Sequence, residues 1–225
     1  LVAYTDGVVD ARNTQGEAFT EKSLVSYIGK PFTSAFSLLK SLEYQINIHI
    51  EKAPQFDDIT IMALRLSSYF EGARQVAGDF YDAFPLGING NIGVVIGDVC
   101  DKGVGAALFM VVFTSLIRAF SEAQHGINDC KKILMNIVPN INNFIARTHD
   151  SSNMFATVFF GILEPSTDTL HYINAGHEQP RVVNAKGKIK AVLETTGPAI
   201  GLMPDLEFIT GQVIFKPGDI LVAYT

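Results

Sequence analysis

Apolar residues are spaced in two different ways along this chain, and the two spacings predict two kinds of element. From Phe32 to Ile50 they recur roughly every three or four positions, as in an amphipathic helix. Further helices are predicted over 104–122 and 128–147. Alternating or continuous apolar runs predict strands over 59–66, 69–73, 80–86, 92–97, 156–163, 169–174, 181–184, 189–193 and 207–215. Runs of strands interrupted by helices favour an α+β fold with mainly antiparallel sheets.

The same five residues, Leu-Val-Ala-Tyr-Thr, occur at 1–5 and at 221–225. If the two copies are superposed, the joined sequence predicts a turn, a buried apolar strand and an acidic turn. This is the pattern of a closed circle opened inside one strand. One copy is expected to fill the strand. The other is expected to fray, to pair at a sheet edge, or to enter a neighbouring molecule as a swapped strand.

Composition narrows the class of protein. The formal net charge of −6 argues against nucleic acid and against an anionic membrane surface as partners. The two cysteines do not make a disulfide framework, which favours a reducing cytoplasm. The apolar stretch from Val104 to Ile117 is too short to span a bilayer and is expected to be a core helix.

Four predicted strands abut turns that carry aspartate: Asp6, Asp57, Asp79 and Asp98. Such turns can collect carboxylates at one end of a sheet, where they raise each other's pKa unless a cation neutralises them. Ligand sets made of oxygen alone select a hard cation, Mg²⁺ or Mn²⁺. Asp and Gly are also the ordinary residues of turns. The spacing by itself therefore does not show that the four carboxylates meet.

Longer motifs resemble those of a known family. The segments 75–82, with Gly-Asp-Phe-Tyr-Asp, and 96–108, with Gly-Asp-Val-Cys-Asp-Lys-Gly, closely resemble the SpoIIE/RsbU branch of the PPM metal-dependent protein serine/threonine phosphatases. So do the motifs at 174–177 (Asn-Ala-Gly-His), 197–198, 200–202, 217–219, 5–7 and 57–60. The sequence departs from the commonest pattern of that branch at Cys100, Asp101 and Gly105, none of which is a proposed ligand.

The motifs stand in a different order from the family's. Residues 68–225 resemble the first part of the family domain and residues 1–66 the last part. The resemblance thus implies a single phosphatase domain over 1–225 in circularly permuted order. The implied fold is a β-sandwich of two antiparallel sheets flanked by helices. Engineered permutation, an excerpt from a tandem array, and a chain that trades segments between molecules would all give this sequence.

The resemblance also implies a site that holds two divalent cations, Mn²⁺ or Mg²⁺. Asp98 would bridge both cations, with the Val99 carbonyl assisting. Asp6 and Asp57 would complete the ligand set, and Asp79 would contact a cation directly or through one intervening group. These four aspartates are the candidate catalytic residues.

Two further residues are candidates for contact with substrate. His177 is the histidine inside the Asn-Ala-Gly-His motif, and Arg74 could meet phosphate through its bidentate fork. A supporting role in a turn for the histidine, and a salt bridge for the arginine, stay open.

The implied activity is hydrolysis of phosphoserine or phosphothreonine on a protein by a two-metal-activated water. The implied substrate is a phosphorylated anti-anti-sigma factor with a STAS-like domain, in a cytoplasmic, bacterial partner-switching circuit. A segment-swapped homodimer is one assembly that the repeated ends allow. Two alternatives stay open. One is a catalytically silent phosphatase-like module that binds a phospho-regulator, and the other is metal-dependent cleavage of phosphodiesters or nucleotides.

Overall fold

The computed structural model describes residues 2–4, 6–54, 59, 61–63, 78–86, 90–124, 126–148 and 154–225. The chain divides into two compact units, Leu1–Tyr69 and Phe70–Thr225. The helices are α1 (Asp6–Val9), α2 (Glu21–Ile28), α3 (Ala35–Ile50), α4 (Val104–Glu122) and α5 (Cys130–Thr148). The strands are β1 (Val2–Tyr4), β2 (Ile61–Ala63), β3 (Asp79–Leu86), β4 (Asn91–Val99), β5 (Ala156–Glu164), β6 (Thr169–Ala175), β7 (Arg181–Val183), β8 (Ile189–Val192), β9 (Gly211–Ile214) and β10 (Ile220–Val222).

In its described residues, the first unit combines three helices with a two-stranded sheet. β1 pairs antiparallel with β2, with Val2 opposite Ala63. Helix α3 begins at Ala35 because a capping box precedes it: Ser34 Oγ accepts from the Ser37 N–H at 3.0 Å, and Ser37 Oγ accepts from the Ser34 N–H at 3.1 Å. The core of the unit consists of Val8, Ala11, Phe19, Leu24, Leu42 and Ile46.

The second unit is built on a five-stranded antiparallel sheet with the strand order β3-β4-β5-β6-β9. A second, three-stranded sheet has the order β10-β7-β8. Residues of β4 are largely buried on both faces, as its continuous apolar run predicts. Helices α4 and α5 cover one face of the larger sheet, and the smaller sheet covers the other. The order of layers is therefore helices, sheet, sheet.

One central strand supplies both apolar layers. Phe160 of β5 belongs to the core beneath the helices, in the same buried cluster as Phe113 and Ile137. The adjacent Phe159 points to the other face, because successive side chains of a strand alternate. There it meets the core between the two sheets, which includes Leu170, Tyr172, Val182 and Leu193.

Most of the elements expected from the pattern of apolar residues are present, with ends that shift by a few residues. The helices over 32–50, 104–122 and 128–147 correspond to α3, α4 and α5. The strand expected over 207–215 is shorter, because only Gly211–Ile214 pairs with β6. Helix α2 was not predicted: it has eight residues, and Leu24 is the one that is buried. The strand expected over 69–73 lies outside the described residues.

Both copies of the repeated pentapeptide contribute to strands. Residues 2–4 pair with β2, and β10 pairs with β7 at the edge of the smaller sheet. Pairing at an edge is one of the three outcomes expected for a surplus copy. β10 is less buried than its apolar sequence predicts, since Ile220 and Val222 are exposed. Asp6, expected in a turn, instead begins α1. The circularly permuted order of the domain stays a prediction.

Helix α4 is longer than the apolar stretch from which it was predicted. Its 19 residues make it long and apolar enough to cross a membrane, by length and composition alone. The expectation that this segment is too short was therefore wrong. Core helices of globular proteins pass the same test, and Ala106, Phe113 and Ile117 of α4 are buried in the core beneath it. Most residues of α4 are nevertheless partly or fully exposed, including the apolar Val104, Leu108 and Val111. The helix therefore covers the core with one face and is not enclosed by it, as a core helix would be.

A buried asparagine fastens a loop to α5 and gives a first prediction. Asn142 is buried, its Nδ2 donates to the Met203 carbonyl at 3.0 Å, and its Oδ1 accepts from the Gly201 N–H at 2.9 Å. Asn142→Ala should lower the free energy of unfolding in urea by about 1–3 kcal/mol, because polar groups inside the protein lose their partners. Asn140→Ala, an exposed change on the same helix, should stay within about 0.5 kcal/mol. Equal losses in the two variants would contradict this account.

Candidate metal centre

Two candidate ligands lie side by side at one end of the larger sheet. Asp79 is the first residue of β3, Asp98 is the next-to-last residue of β4, and the two are directly opposite in the antiparallel pairing. Directly opposed residues project from the same face of a sheet with their Cβ atoms roughly 4.5–5.5 Å apart. The sequence placed both aspartates in turns. The structure places them within strands, and the strand pairing holds the two carboxyl groups together.

The two carboxyl groups perturb each other. The pKa of Asp98 is raised to about 6, first by burial, then by hydrogen bonding with Asp79 and by the negative charge of Asp79, while Lys102 opposes the rise. Asp98 is nevertheless an exposed residue, and Asp79 is half-buried. Asp79 Oδ2 also accepts a hydrogen bond from the Thr225 hydroxyl at 3.1 Å. A pair of crowded carboxylates that partly face solvent fits a hard divalent cation, which would offset their repulsion.

Close backbone packing brings the Val99 carbonyl towards the start of β3. A Cβ on Gly78 would lie 2.8 Å from the Val99 carbonyl oxygen, a contact that side chains do not tolerate. The Val99 N–H in turn donates to the Gly78 carbonyl at 3.4 Å. Glycine at position 78 thus allows the two strand ends to approach. The Asp79 carboxylate and the Val99 carbonyl therefore belong to the same end of the β3–β4 pair.

The neighbouring strand β5 adds a hydroxyl to the row of carboxylates. Thr157 lies opposite Asp98 in the β4–β5 pairing. Its Oγ1 is 2.9 Å from His177 Nδ1. His177 is only 4 % exposed. Burial is the main cause that lowers the pKa of His177, and the Tyr224 carbonyl and nearby acidic groups only partly oppose it. The imidazole is therefore neutral at pH 7 and offers little surface to a protein substrate.

The turn after β6 holds His177 in place. The His177 N–H donates to Asn174 Oδ1 at 2.8 Å, and the buried Asn174 donates through Nδ2 to the Leu193 carbonyl at 3.2 Å. Gly176 has a φ of +68°, and a Cβ there would lie 3.0 Å from the Ala199 backbone nitrogen. Glycine meets both requirements. The Asn-Ala-Gly-His motif is thus a rigid support for the histidine.

The remaining candidate side chains lie outside the described part of the structure. Asp6 begins α1 in the first unit, and its side chain is outside the described part of the chain. Asp57 and Arg74 also lie outside the described residues. Within the described ranges, no group of three or more His, Cys, Asp or Glu side chains is arranged to hold a metal ion. The part that Asp6, Asp57 and Arg74 take in the site stays a prediction.

Sequence reasoning missed Thr157. It was covered only by the strand predicted over 156–163 and carries no motif of its own. The available signal was weak: it is a single hydroxyl in an otherwise apolar strand. Its position opposite Asp98 follows from the register between β4 and β5. That register depends on pairing between distant parts of the chain, which a local pattern does not specify.

About two thirds of the chain has the fold of PP2C-type phosphatases. The structure of the RsbU and RsbW domains of Rv1364c from Mycobacterium tuberculosis superposes with a TM-score of 0.52 and 24% identity, covering 66% of this chain and 39% of that chain. The PP2C phosphatase domain, with a fragment of the regulatory domain, of SpoIIE from Bacillus subtilis gives 0.53 and 21%, covering 67% and 40%. At these identities the similarity shows the fold alone. It confirms the expected PPM-type α+β architecture.

The family model for Stage II sporulation protein E (SpoIIE) matches residues 1–67 and 88–225. The chain therefore belongs to the SpoIIE family, as its motifs indicated.

Three curated relatives illustrate that family. Protein IcfG of Synechocystis sp. (strain ATCC 27184 / PCC 6803 / Kazusa) is 40% identical over 224 residues, covering 91% of this chain and 34% of that protein. The phosphoserine phosphatase RsbU of Bacillus subtilis (strain 168) is 24% identical over 220 residues, covering 98% and 61%. The phosphoserine phosphatase RsbP of the same organism is 22% identical over 190 residues, covering 84% and 46%. The chain thus spans between about a third and three fifths of the length of these relatives.

Proposed function

We propose that this chain is a metal-dependent protein phosphatase that hydrolyses phosphoserine or phosphothreonine on a regulatory protein. The observation that carries the proposal is the pair of carboxylates, Asp79 and Asp98, held opposite each other at the end of adjacent strands. The pKa of Asp98, raised to about 6 mainly by burial and by Asp79, marks a site that is poorly compensated without a cation. RsbU and RsbP, which are phosphoserine phosphatases, support the same reaction for this chain.

The cations would be two Mn²⁺ or Mg²⁺ ions held by oxygen ligands. Asp79 and Asp98 would bind them, and the Val99 carbonyl, Asp6 and Asp57 would complete the set. When bound, such ions lower the pKa of a water molecule towards neutrality and offset the charge that develops on phosphoryl oxygens.

Residues of this chain would hold the metal ligands and the substrate phosphate in position. The pairing of β3 with β4 fixes the separation of the two carboxylates, and Gly78 keeps the strand ends close. Arg74, one position from the motif that contains Asp79, would bind phosphate oxygens through two parallel hydrogen bonds. His177 is too buried for the direct contact with substrate that its motif suggested. Any contribution of His177 to the reaction would therefore be indirect, through other residues.

The proposed substrate is a phosphorylated anti-anti-sigma factor with a STAS-like domain, in a cytoplasmic partner-switching circuit. Similarity to RsbU and RsbP supports a phosphorylated regulator as partner. The net charge of −6 disfavours nucleic acid and anionic membranes. A segment-swapped homodimer belongs to the same proposal, because each copy of the repeated pentapeptide contributes an edge strand, β1 or β10, in the described sheets.

The first test is metal-dependent release of phosphate. With Mn²⁺ the chain should release phosphate from a phosphoserine-bearing STAS domain and p-nitrophenol from p-nitrophenyl phosphate. EDTA should stop both reactions, and excess Mn²⁺ should restore them. The measurements are a colorimetric phosphate assay and absorbance of p-nitrophenol.

Two controls separate this function from the alternatives. Bis(p-nitrophenyl) phosphate and a nucleoside triphosphate should be poor substrates, and preference for either would favour phosphodiester or nucleotide cleavage. Binding of the phosphorylated STAS domain without any metal-dependent hydrolysis would favour a silent module. Either result would overturn the proposed function.

A further inference from the structure

A row of three polar side chains crosses the sheet at the candidate metal centre. Asp79 on β3 is opposite Asp98 on β4, and Asp98 is opposite Thr157 on β5. Opposed residues project from the same face of a sheet, so the Thr157 hydroxyl is a neighbour of the Asp98 carboxylate on the side away from Asp79. The side-chain rotamer of Thr157 therefore decides whether its hydroxyl or its methyl group stands on the side of Asp98.

His177 determines that orientation. Its Nδ1 lies 2.9 Å from Thr157 Oγ1, and in either tautomer of the ring this hydrogen bond holds the Thr157 oxygen in place and so fixes the side-chain rotamer. The imidazole itself has little freedom, because its backbone N–H is bonded to the buried Asn174 and the ring is 4 % exposed. His177 Nε2 is buried and makes no hydrogen bond of good geometry with the described residues. The Tyr224 carbonyl lies close enough to favour a proton on the ring.

We propose that His177 is a positioning residue for the metal centre, which acts by locking the Thr157 hydroxyl and thereby restricting the orientation of the Asp98 carboxylate. This inference rests on the proposed function, because it assigns His177 a role in the same site. It differs from a role in substrate contact, since the ring is buried. Groups that orient metal ligands in this way typically change metal affinity by about 10–100-fold when they are removed.

Calorimetric titration of the full chain with Mn²⁺ tests the proposal independently of turnover. His177→Ala and Thr157→Val should each raise the dissociation constant for Mn²⁺ by about 10–100-fold. The double variant should bind Mn²⁺ no more weakly than the weaker-binding single variant, because both substitutions remove the same hydrogen bond between Thr157 and His177. His177→Asn, whose amide can take the place of Nδ1, should recover most of the affinity. At saturating Mn²⁺, the KM for p-nitrophenyl phosphate should stay unchanged in all of these variants.

His171 provides a matched control. It is a second largely buried histidine, which lies on β6 itself. Its Nδ1 is buried without a partner among the described residues, and its Nε2 lies 3.8 Å from Glu164 Oε2. His171→Ala removes the same kind of ring from the strand that precedes His177 and should leave the Mn²⁺ affinity unchanged. An equal loss of affinity in His171→Ala, additive losses in the double variant, or unchanged affinity in His177→Ala would overturn the positioning role.

The variants also distinguish this inference from the proposed function. If the unmodified chain binds no Mn²⁺, both fall. If Asp98→Asn abolishes binding while the His177 and Thr157 variants retain it, only the positioning role falls. Should His177→Ala fail to fold, Thr157→Val and Thr157→Ser decide the matter. The serine variant keeps the hydroxyl and should retain the affinity, and loss of affinity in both or in neither would overturn the proposal.

Discussion

Asp98→Asn should reduce the Mn²⁺-dependent turnover of p-nitrophenyl phosphate by at least about 10²–10³-fold, the loss expected when a central electrostatic element of an active site is removed. Asparagine preserves the size of the side chain and removes its charge. Since Asp98 lies opposite Asp79, the change leaves the pair with one carboxylate where two would hold the cations. Initial rates over a range of Mn²⁺ concentrations measure the effect. Calorimetry should show that Mn²⁺ uptake is lost as well.

The same substitution should stabilise the metal-free protein. The folded-state pKa of Asp98 is raised to about 6 by burial and by Asp79, whereas an unfolded aspartate has a pKa near ~3.9. The folded state therefore holds the proton more tightly, and the stability of the metal-free chain should rise as the pH falls from 7 through about 6 towards 4. Asp98→Asn has no such proton to bind. Its melting temperature in EDTA should exceed that of the unmodified chain at pH 7, with a smaller difference at pH 5.

Asp101→Asn is the matched control for this pair of effects. Asp101 is an exposed residue three positions along the chain, and its Oδ1 accepts from the Lys102 N–H at 2.7 Å. Its φ of +73° is one that asparagine also adopts readily. Turnover and Mn²⁺ affinity should be unchanged in this variant. If Asp98→Asn retains metal-dependent turnover, or if Asp101→Asn loses it, Asp98 is not the central ligand.

Local patterns predicted the elements that bury one regular apolar face or a continuous apolar run. The spacing of apolar residues gave α3, and the unbroken apolar sequence of β4 correctly predicted burial on both faces. Helix α2 was missed because its eight residues are too few for a sustained pattern, although Leu24, Tyr27 and Ile28 follow helical spacing and pack on one core. β10 was expected to be buried and is an edge strand with exposed side chains. Burial depends on which neighbours a strand finds, and a strand's own sequence does not specify them.

In the candidate metal centre, too, local motifs identified some residues, whereas their spatial arrangement depends on how the strands pair. Asp79 and Asp98 stand out in the sequence because each follows a glycine in a distinctive motif. Their opposition, and the alignment of Thr157 with them, arise from the register of three strands whose residues are far apart in the chain. His177 was singled out by its motif, but as a group that touches substrate. Only packing shows that the ring is enclosed and bonded to Thr157.

Gly97→Ala should give the largest loss of stability among glycine substitutions on β4, about 1–3 kcal/mol or more. The new Cβ would lie 2.6 Å from Phe80 Cζ and 2.8 Å from the Thr157 carbonyl oxygen. Phe80 cannot move away easily, because it is buried and stacks on Phe113 with ring centroids 6.5 Å apart. The oxygen belongs to the backbone of β5. Relief would therefore require the two strands to separate, and urea unfolding should report the cost.

Substitutions at two other glycines provide a comparison for the stability loss expected in Gly97→Ala. In Gly93→Ala on the same strand, the three atoms nearest the new Cβ belong to the Phe84 ring, at 2.8 Å and beyond, and none is a backbone atom, so its cost should be smaller. Gly105→Ala in helix α4 has open space around the new Cβ, and it should stabilise the protein by up to about 1 kcal/mol, since alanine is the better helix former. The expected order of stability is Gly105→Ala, then Gly93→Ala, then Gly97→Ala. Any other order would contradict the packing argument.

The effect of Gly97→Ala should extend to the metal centre. Gly97 precedes Asp98, and the backbone oxygen that blocks the new Cβ belongs to Thr157, the residue opposite Asp98. Strand separation at this point would move the carboxylate and the hydroxyl apart. Mn²⁺ affinity should therefore fall in Gly97→Ala and stay close to the original value in Gly93→Ala, which lies further along β4 from the carboxylates. Loss of affinity in both variants to the same extent would mean that general loosening of the sheet, and not the spacing between β4 and β5 beside Asp98, controls metal binding.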